Sequence, residues 1–450
     1  MNIRAIIAKV QFLQRQAASL LLYQSVLEGE IGKAFLDLLQ AIRYPNAEAR
    51  DTLQAYSYFF KVLASKNQNW EEYLISQILV DDNPFSNKVQ LQTEIPPALI
   101  AAAKHDLQAL QSFHECSIAT LGEWVQCVAH LPILPVVWYT ERQNIAATHQ
   151  LPQIEKLRNL SDWSDAVEDL AAFYRKYGTG MFADYQAFCW QQGEFTGIRY
   201  PDAVKLDQLV GYESQKATLI KNTEFLLSGQ LALHVLLYGS RGSGKSSLVK
   251  ALLNEYADRN LRLIEVAKSE FKNLPRILER LRNQPQKFII FVDDLSFEED
   301  DDAFKALKVV LEGSLTARSP NVVVYATSNR RHLIREFFAD RPRPKESDEV
   351  NAWDTVQEKL SFSDRFGLTL TFEPASQNAY LQIVRHLVKI SNIDISTEEL
   401  EFQALQWATR HNGRSGRTAR QFVDFLKAEK TIELIDVKNC SDDKGIGSKE

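Results

Sequence analysis

The sequence predicts an α/β protein: a five-stranded parallel sheet followed by a helical lid and preceded by a mainly α-helical domain. Three observations carry this. Helical periodicity dominates from residue 1 to about 200. After Tyr200-Pro201, short β-branched runs alternate with amphipathic helical stretches, which is the pattern of a parallel sheet flanked by helices. A glycine-rich loop joins one of those runs to a helix.

The chain has 450 residues, enough for two or three domains with hydrophobic cores. Hydrophobic residues make up 45% and charged residues 24%, which excludes a largely disordered or fibrous chain. Lys plus Arg is 52 against 58 for Asp plus Glu, so the net charge of −6 provides no global field toward nucleic acid or an anionic membrane. Cys116, Cys127, Cys189 and Cys440 form no C-x-x-C pair and read as buried or idle thiols in a reducing compartment. Arg4, Lys9 and Arg15 interrupt the apolar residues of the N-terminus, as in an amphipathic helix. No apolar run approaches the ~18 residues of a spanning helix, and the expectation is a soluble cytoplasmic protein.

In residues 1–200, Phe35, Leu36, Leu38, Leu39 and Ile42 recur at helical spacing, as do Leu107, Leu110 and Phe113. Proline stop signals fall at Pro45, Pro84, Pro96-Pro97 and Pro132 to Pro135. Phe182, Tyr185, Phe188 and Trp190 read as an aromatic cluster at helical spacing, either a packing surface or a ligand-binding face. An α/β domain is expected over 201–373, with strands at His234 to Tyr238, Leu261 to Val266, Lys287 to Val292, Val322 to Thr327 and Leu368 to Phe372. Helices are expected at Lys245 to Tyr256, Ser269 to Arg282, Ala303 to Leu315 and Arg331 to Phe338, then a helical lid over 374–430 and a flexible tail over 431–450.

The strongest motif is Gly239-Ser240-Arg241-Gly242-Ser243-Gly244-Lys245-Ser246, which satisfies G-x-x-x-x-G-K-[ST] between an apolar strand and a helix opening at Ser247. The glycines let backbone N–H groups wrap phosphate oxygens, Lys245 supplies charge to the β and γ phosphates, and Ser246 offers a hydroxyl to Mg²⁺. Further on, Phe288-Ile-Ile-Phe-Val-Asp-Asp-Leu295 is an apolar strand ending in two carboxylates. Asp293 would order Mg²⁺ beside the loop, and Asp294 would orient or deprotonate the attacking water. The acidic run Glu298 to Asp302 lacks the spaced ligands of a calcium loop and reads as a solvated loop. The strand Val322-Val-Val-Tyr-Ala-Thr-Ser-Asn329 ends in a polar triplet; Asn329 either faces the γ-phosphate or caps a helix opening at Arg330.

These motifs in this order resemble the AAA+ P-loop ATPases. The resemblance covers Leu206 to Leu426 and implies ATP and Mg²⁺ as cofactors, with Asn329 as the sensor 1 residue. Leu206-Asp-Gln-Leu-Val-Gly-Tyr-Glu213 resembles the segment that covers the adenine, which implicates Val210 and Gly211. Ser363-Asp-Arg-Phe366 resembles the arginine-finger motif, implying that Arg365 reaches a neighbouring subunit's γ-phosphate. Asn412-Gly-Arg-Ser-Gly-Arg-Thr-Ala-Arg420 resembles sensor 2, with Arg417 the first choice and Arg414 and Arg420 the alternatives. Related ATPases often carry Glu where Asp294 stands, so slow or assembly-dependent hydrolysis is expected. More narrowly, strings such as Ala326-Thr-Ser-Asn-Arg-Arg-His-Leu333 resemble a bacterial and plastid-type AAA+ family catalogued as a domain of unknown function.

No recognisable substrate element is present, and the reading favoured by default is a nucleotide-switched scaffold: a homo-oligomer whose assembly ATP sets and whose helical domain binds a protein partner. Three other roles are weighed. A protein unfoldase usually presents an aromatic followed by Gly after the second strand, and Phe271 lacks that glycine. A DNA-associated loader would use the basic groups Arg330-Arg331-His332 and Arg341 to Lys345, against a net acidic chain. A small-molecule kinase would work within one chain, without a finger from a neighbour.

Overall fold

The computed structural model describes residues 2–45, 48–139, 151–297, 302–312, 319–329, 365–411 and 413–442. The chain divides into two compact units: Met1–Asp184 with Asn283–Gln286, and Tyr185–Arg282 with Lys287–Glu450. Among the described residues no helix is long and apolar enough to cross a membrane.

The first unit is helical, as expected. Its helices are α1 (Ile3–Ser19), α2 (Glu30–Arg43), α3 (Arg50–Lys66), α4 (Trp70–Val80), α5 (Pro84–Leu91), α6 (Pro97–Glu115), α7 (Ile118–Val128), α8 (Leu151–Asn159), α9 (Val167–Tyr177) and the short α10 (Met181–Asp184). The proline signals mark their ends. Asn83 caps α5 by accepting from the N–H groups of Phe85 and Ser86, with Pro84 in the first turn, where no intrahelical donor is needed. Trp70 is the centre of the core: it stacks on Phe35 at 4.1 Å, meets Phe59 edge-on and donates its indole N–H to Phe113 O at 3.0 Å. The fully buried Asp106 on α6 accepts backbone N–H groups from Leu21, Leu22 and Tyr23 at 2.7–3.0 Å, tying down the chain after α1.

The second unit holds all five expected strands, within about a residue at their ends, and two more. The strands are β1 (Ala187–Gln191), β2 (Glu194–Ile198), β3 (Val235–Gly239), β4 (Leu261–Glu265), β5 (Lys287–Val292), β6 (Val322–Ser328) and β7 (Leu368–Phe372). They form one sheet in the order β2-β1-β4-β5-β6-β3-β7, parallel except for the β1–β2 hairpin. This hairpin corrects the helical reading of the aromatic cluster. Phe188 and Trp190 are alternate, buried residues of β1, and the hairpin belongs to the second unit, so the division falls at Asp184/Tyr185 and not near 200.

Both faces of the parallel strands are buried. Leu237, Leu263, Ile289, Val323 and Tyr325 pack on one side, while their alternates Leu236, Ile264, Ile290 and Val324 are also buried, which is why these strands read as unbroken apolar runs. Around the sheet lie α11 (Glu213–Leu227), α12 (Lys245–Tyr256), α13 (Leu274–Leu281) and α14 (Asp302–Glu312). The single helix expected over Ser269 to Arg282 is a 3₁₀ turn, Lys268–Asn273, followed by α13. The lid consists of α15 (Gln377–Ile390), α16 (Thr397–Arg410) and α17 (Gly416–Asp442) around its own apolar cluster. Because α17 runs to Asp442, the flexible tail expected from 431 is corrected to helix over that stretch. The expected helix at Arg331 to Phe338, the basic groups from Arg330 to Lys345, Ser363-Asp364 and the acidic residues 298–301 lie outside the described residues.

Candidate functional site

The site forms where the C-terminal ends of β3, β5 and β6 meet. β3 delivers the glycine-rich loop. Gly239 has φ +137°, and a Cβ there would overlap the carbonyl oxygen of Phe372 on β7, so only glycine lets the chain turn beside that strand. Ser240 N–H donates to the same carbonyl at 2.9 Å. Gly242 and Gly244 have φ +74° and +89°, and Gly244 forms the N-cap of α12, whose positive dipole end opens at Lys245 and Ser246.

β6 lies between β3 and β5, so its polar end reaches both neighbours. Ser246 Oγ donates to Asp293 Oδ1 at 2.6 Å, and Thr327 Oγ1 donates to the same oxygen at 2.5 Å. Asn329 Nδ2 donates to Asp294 Oδ1 at 2.7 Å. Lys245 Nζ donates to Asn329 Oδ1 at 3.4 Å and to the carbonyls of Ser240 and Gly239 at 2.7 and 3.0 Å. Asp294 adopts φ +51°, a left-handed conformation that side-chain-bearing residues enter at a cost and that clusters at functional sites. Burial pushes the Lys245 ammonium below its ordinary pKa; Asp293 and Asp294 pull it back up, and Arg417 adds to the lowering.

The lid closes the other side. Ser415 caps α17 by accepting from Thr418 N–H at 3.1 Å, and Arg417 N–H donates to Gly242 O at 3.1 Å. Gly416 makes this approach close, since a Cβ there would stand 3.0 Å from Gly242 O. Of the three sensor 2 candidates, Arg417 and Arg420 line the cavity between lid and loop and Arg414 does not. Residues 417 and 420 are three apart on one helix face, whereas 414 precedes the helix.

That cavity is about 760 Å³ and takes in Arg241, Ser243 and Ser247 of the loop region together with Val210 and Gly211. Gly239 and Ser240 stand behind it, where their carbonyls hold Lys245. Val210 also packs against the apolar cluster of the lid. Arg365, just ahead of β7, is not among the residues lining the cavity.

Several lining residues escaped sequence reasoning. Ile383 and Leu387 of α15 supply an apolar wall, and Tyr212 tilts against Phe372 while donating its hydroxyl to Glu373 O. The lid residues gave no motif signal because their lining positions are ordinary apolar turns of an amphipathic helix. Thr327 was visible only as part of the polar triplet, and its bond to Asp293 depends on the sheet order.

The donors suit the implied groups. Ser246 and Asp293 offer oxygen only, as the hard cation Mg²⁺ prefers, and would leave the remaining positions to water and phosphate. The glycine-rich loop, Lys245 and the α12 N-terminus suit a polyphosphate, and Val210, Ile383 and Leu387 suit a flat apolar base.

The family described as "Protein of unknown function (DUF815)" matches residues 183–430, starting at the boundary of the second unit. Over 210 residues the chain is 25% identical to the Holliday junction branch migration complex subunit RuvB of Mycoplasmopsis synoviae (strain 53). That alignment covers 46% of this chain, which spans 60% of the length of the relative. Among solved structures, a mutant of Thermotoga maritima RuvB is 16% identical, with 51% of this chain and 67% of that one covered and a TM-score of 0.36. The Thermotoga maritima RuvB Holliday junction branch migration motor is 14% identical, with 50% and 72% covered and a TM-score of 0.31.

Proposed function

Since the chain belongs to the DUF815 family and carries the P-loop module of an AAA+ ATPase, we propose that it binds Mg-ATP and hydrolyses it, slowly or only when assembled. The observation that carries this reading is the bonded series running from Lys245 through Asn329 to Asp294, with Ser246 on Asp293 beside it. In this reading Lys245 and the loop N–H groups hold the phosphates. Ser246 and Asp293 hold Mg²⁺, which when bound neutralises charge on the phosphate oxygens. Asp294 takes the proton of the attacking water, and Asn329 orients that carboxylate. Arg417, with Arg420 beside it, grips phosphate from the lid, so nucleotide state is felt by the lid through the contact of α17 with Gly242.

The proposal extends to assembly. Arg365 lies off the cavity of its own chain and acts on a neighbour's γ-phosphate, so hydrolysis needs a homo-oligomer, and the helical unit engages a protein partner. The test is mass by light scattering with and without Mg-ATP, on wild type and Asp294→Asn, alongside phosphate release over a protein dilution series. Nucleotide-driven assembly with concentration-dependent turnover is expected. A persistent monomer with concentration-independent turnover would overturn the trans-acting role and favour a small-molecule kinase.

A second reading, a DNA-associated ATPase, is favoured by the match to a branch migration subunit. Its mark is ATP turnover stimulated by DNA, the stimulation being lost as salt rises. Turnover indifferent to DNA removes it.

A further inference from the structure

We propose that Thr327 is a positioning residue for the cation site, acting through Asp293; this rests on the Mg-ATP reading. Thr327 is 2% exposed and sits two residues before Asn329 at the end of β6. The two-residue strand period sends both side chains to the same side, where each takes one of two consecutive carboxylates: Thr327 meets Asp293 and Asn329 meets Asp294.

The direction of the Thr327 bonds follows from hydrogen counting. Asp294 N–H can only donate, and it donates to Thr327 Oγ1 at 3.0 Å. The single hydroxyl proton of Thr327 is then available to Asp293 Oδ1 at 2.5 Å, an oxygen that as carboxylate only accepts. Ser246 Oγ donates to that same oxygen at 2.6 Å. Two hydroxyls on one oxygen restrain rotation of the carboxylate. They also commit the Ser246 proton to Asp293, so the lone pairs of Ser246 remain for a cation. Thr327 thereby fixes both protein oxygens offered to Mg²⁺ without touching the cation, and it holds the backbone of Asp294 in its left-handed turn. Thr327 itself is buried, whereas Asp293 is exposed on the cavity side, where a cation can reach it.

The experiment is equilibrium binding of a fluorescent ATP analogue to the full chain across a Mg²⁺ titration and in EDTA, for wild type, Thr327→Val and Thr327→Ser. Valine keeps the shape and removes the hydroxyl; serine keeps the hydroxyl. For Thr327→Val the half-saturating Mg²⁺ concentration is expected to rise about tenfold, as for one lost charge-assisted hydrogen bond, with affinity in EDTA unchanged. Thr327→Ser is expected to stay within about twofold of wild type, since its hydroxyl makes the same bonds. A wild-type Mg²⁺ curve for Thr327→Val overturns the proposal, as does equal weakening in EDTA and in Mg²⁺. If Thr327→Val does not fold, Thr327→Ala is read by the same criteria. Wild-type protein that binds the analogue indifferently to Mg²⁺ overturns this proposal and leaves nucleotide binding standing, whereas no binding at all removes the nucleotide reading and this proposal with it.

Discussion

Asn329 donates its side-chain N–H to Asp294 at 2.7 Å while its amide oxygen accepts from Lys245 at 3.4 Å. One amide thus joins Lys245 to the proposed base. Asp294→Asn is expected to keep nucleotide affinity within a few-fold and to lower turnover by about 10²–10⁴, the range for removing a general base. Single-turnover phosphate release measures this, and normal turnover would remove Asp294 from the chemistry.

Lys245 is buried against its own loop, where the carbonyls of Gly239 and Ser240 hold its ammonium. Lys245→Ala removes the charge from the phosphate subsite and is expected to weaken ATP binding about 10- to 100-fold, the equivalent of one or two charge-assisted hydrogen bonds. Calorimetric titration checks this; unaltered affinity together with unaltered turnover would contradict the assignment.

Arg365→Ala is expected to retain nucleotide binding and lose turnover, because in the proposed reading the arginine serves a neighbouring subunit. Mixing Arg365→Ala with Lys245→Ala protein pairs an intact phosphate site with an intact finger and is expected to restore part of the activity. Mixtures as inactive as their components would count against action in trans.

His114 gives the helical unit a pH dependence. Burial, with Arg158 nearby, lowers its pKa from 6.5 to about 4, and its ring packs 5.0 Å from Trp163. The folded pKa is depressed, so the unfolded chain takes up the proton first. The stability tied to the neutral ring is present above about pH 6.5 and is lost as pH falls toward about 4. Denaturant midpoints at pH 7.5, 6.5 and 5.5 should fall in wild type and fall less in His114→Phe; parallel curves would refute this.

Asp106→Ala leaves the N–H groups of Leu21, Leu22 and Tyr23 without their acceptor, the Tyr23 group in a buried site and the other two partly buried. At roughly 1–3 kcal/mol for an unsatisfied buried group, the Tyr23 N–H alone predicts a loss of at least about 1 kcal/mol. Chemical denaturation followed by tryptophan fluorescence reads it, Trp70 lying in the same core.

The α/β core was legible because its signals are local. A strand buried on both faces must be a continuous apolar run, and a phosphate loop must place glycines where φ is positive, so the five strands and Gly242, Gly244, Lys245 and Ser246 stood out. The β1–β2 hairpin was not legible for the same kind of reason. Phe182, Tyr185 and Phe188 are three apart and mimic a helix face, while a five-residue strand offers too few inward positions to show its period of two.

By itself the sequence determined the chemistry available: a lysine, a serine, two carboxylates and an asparagine at the ends of apolar strands, and arginines opening a late helix. Tertiary structure alone decided which of these meet. The order β5-β6-β3 puts Thr327 on Asp293 and Asn329 between Asp294 and Lys245, and the docking of α17 on Gly242 brings Arg417 and Arg420 to the cavity and leaves Arg414 off its wall. Residues distant in sequence become neighbours only through sheet order and helix packing, and those are set by burial summed over the whole unit, which no local spacing encodes.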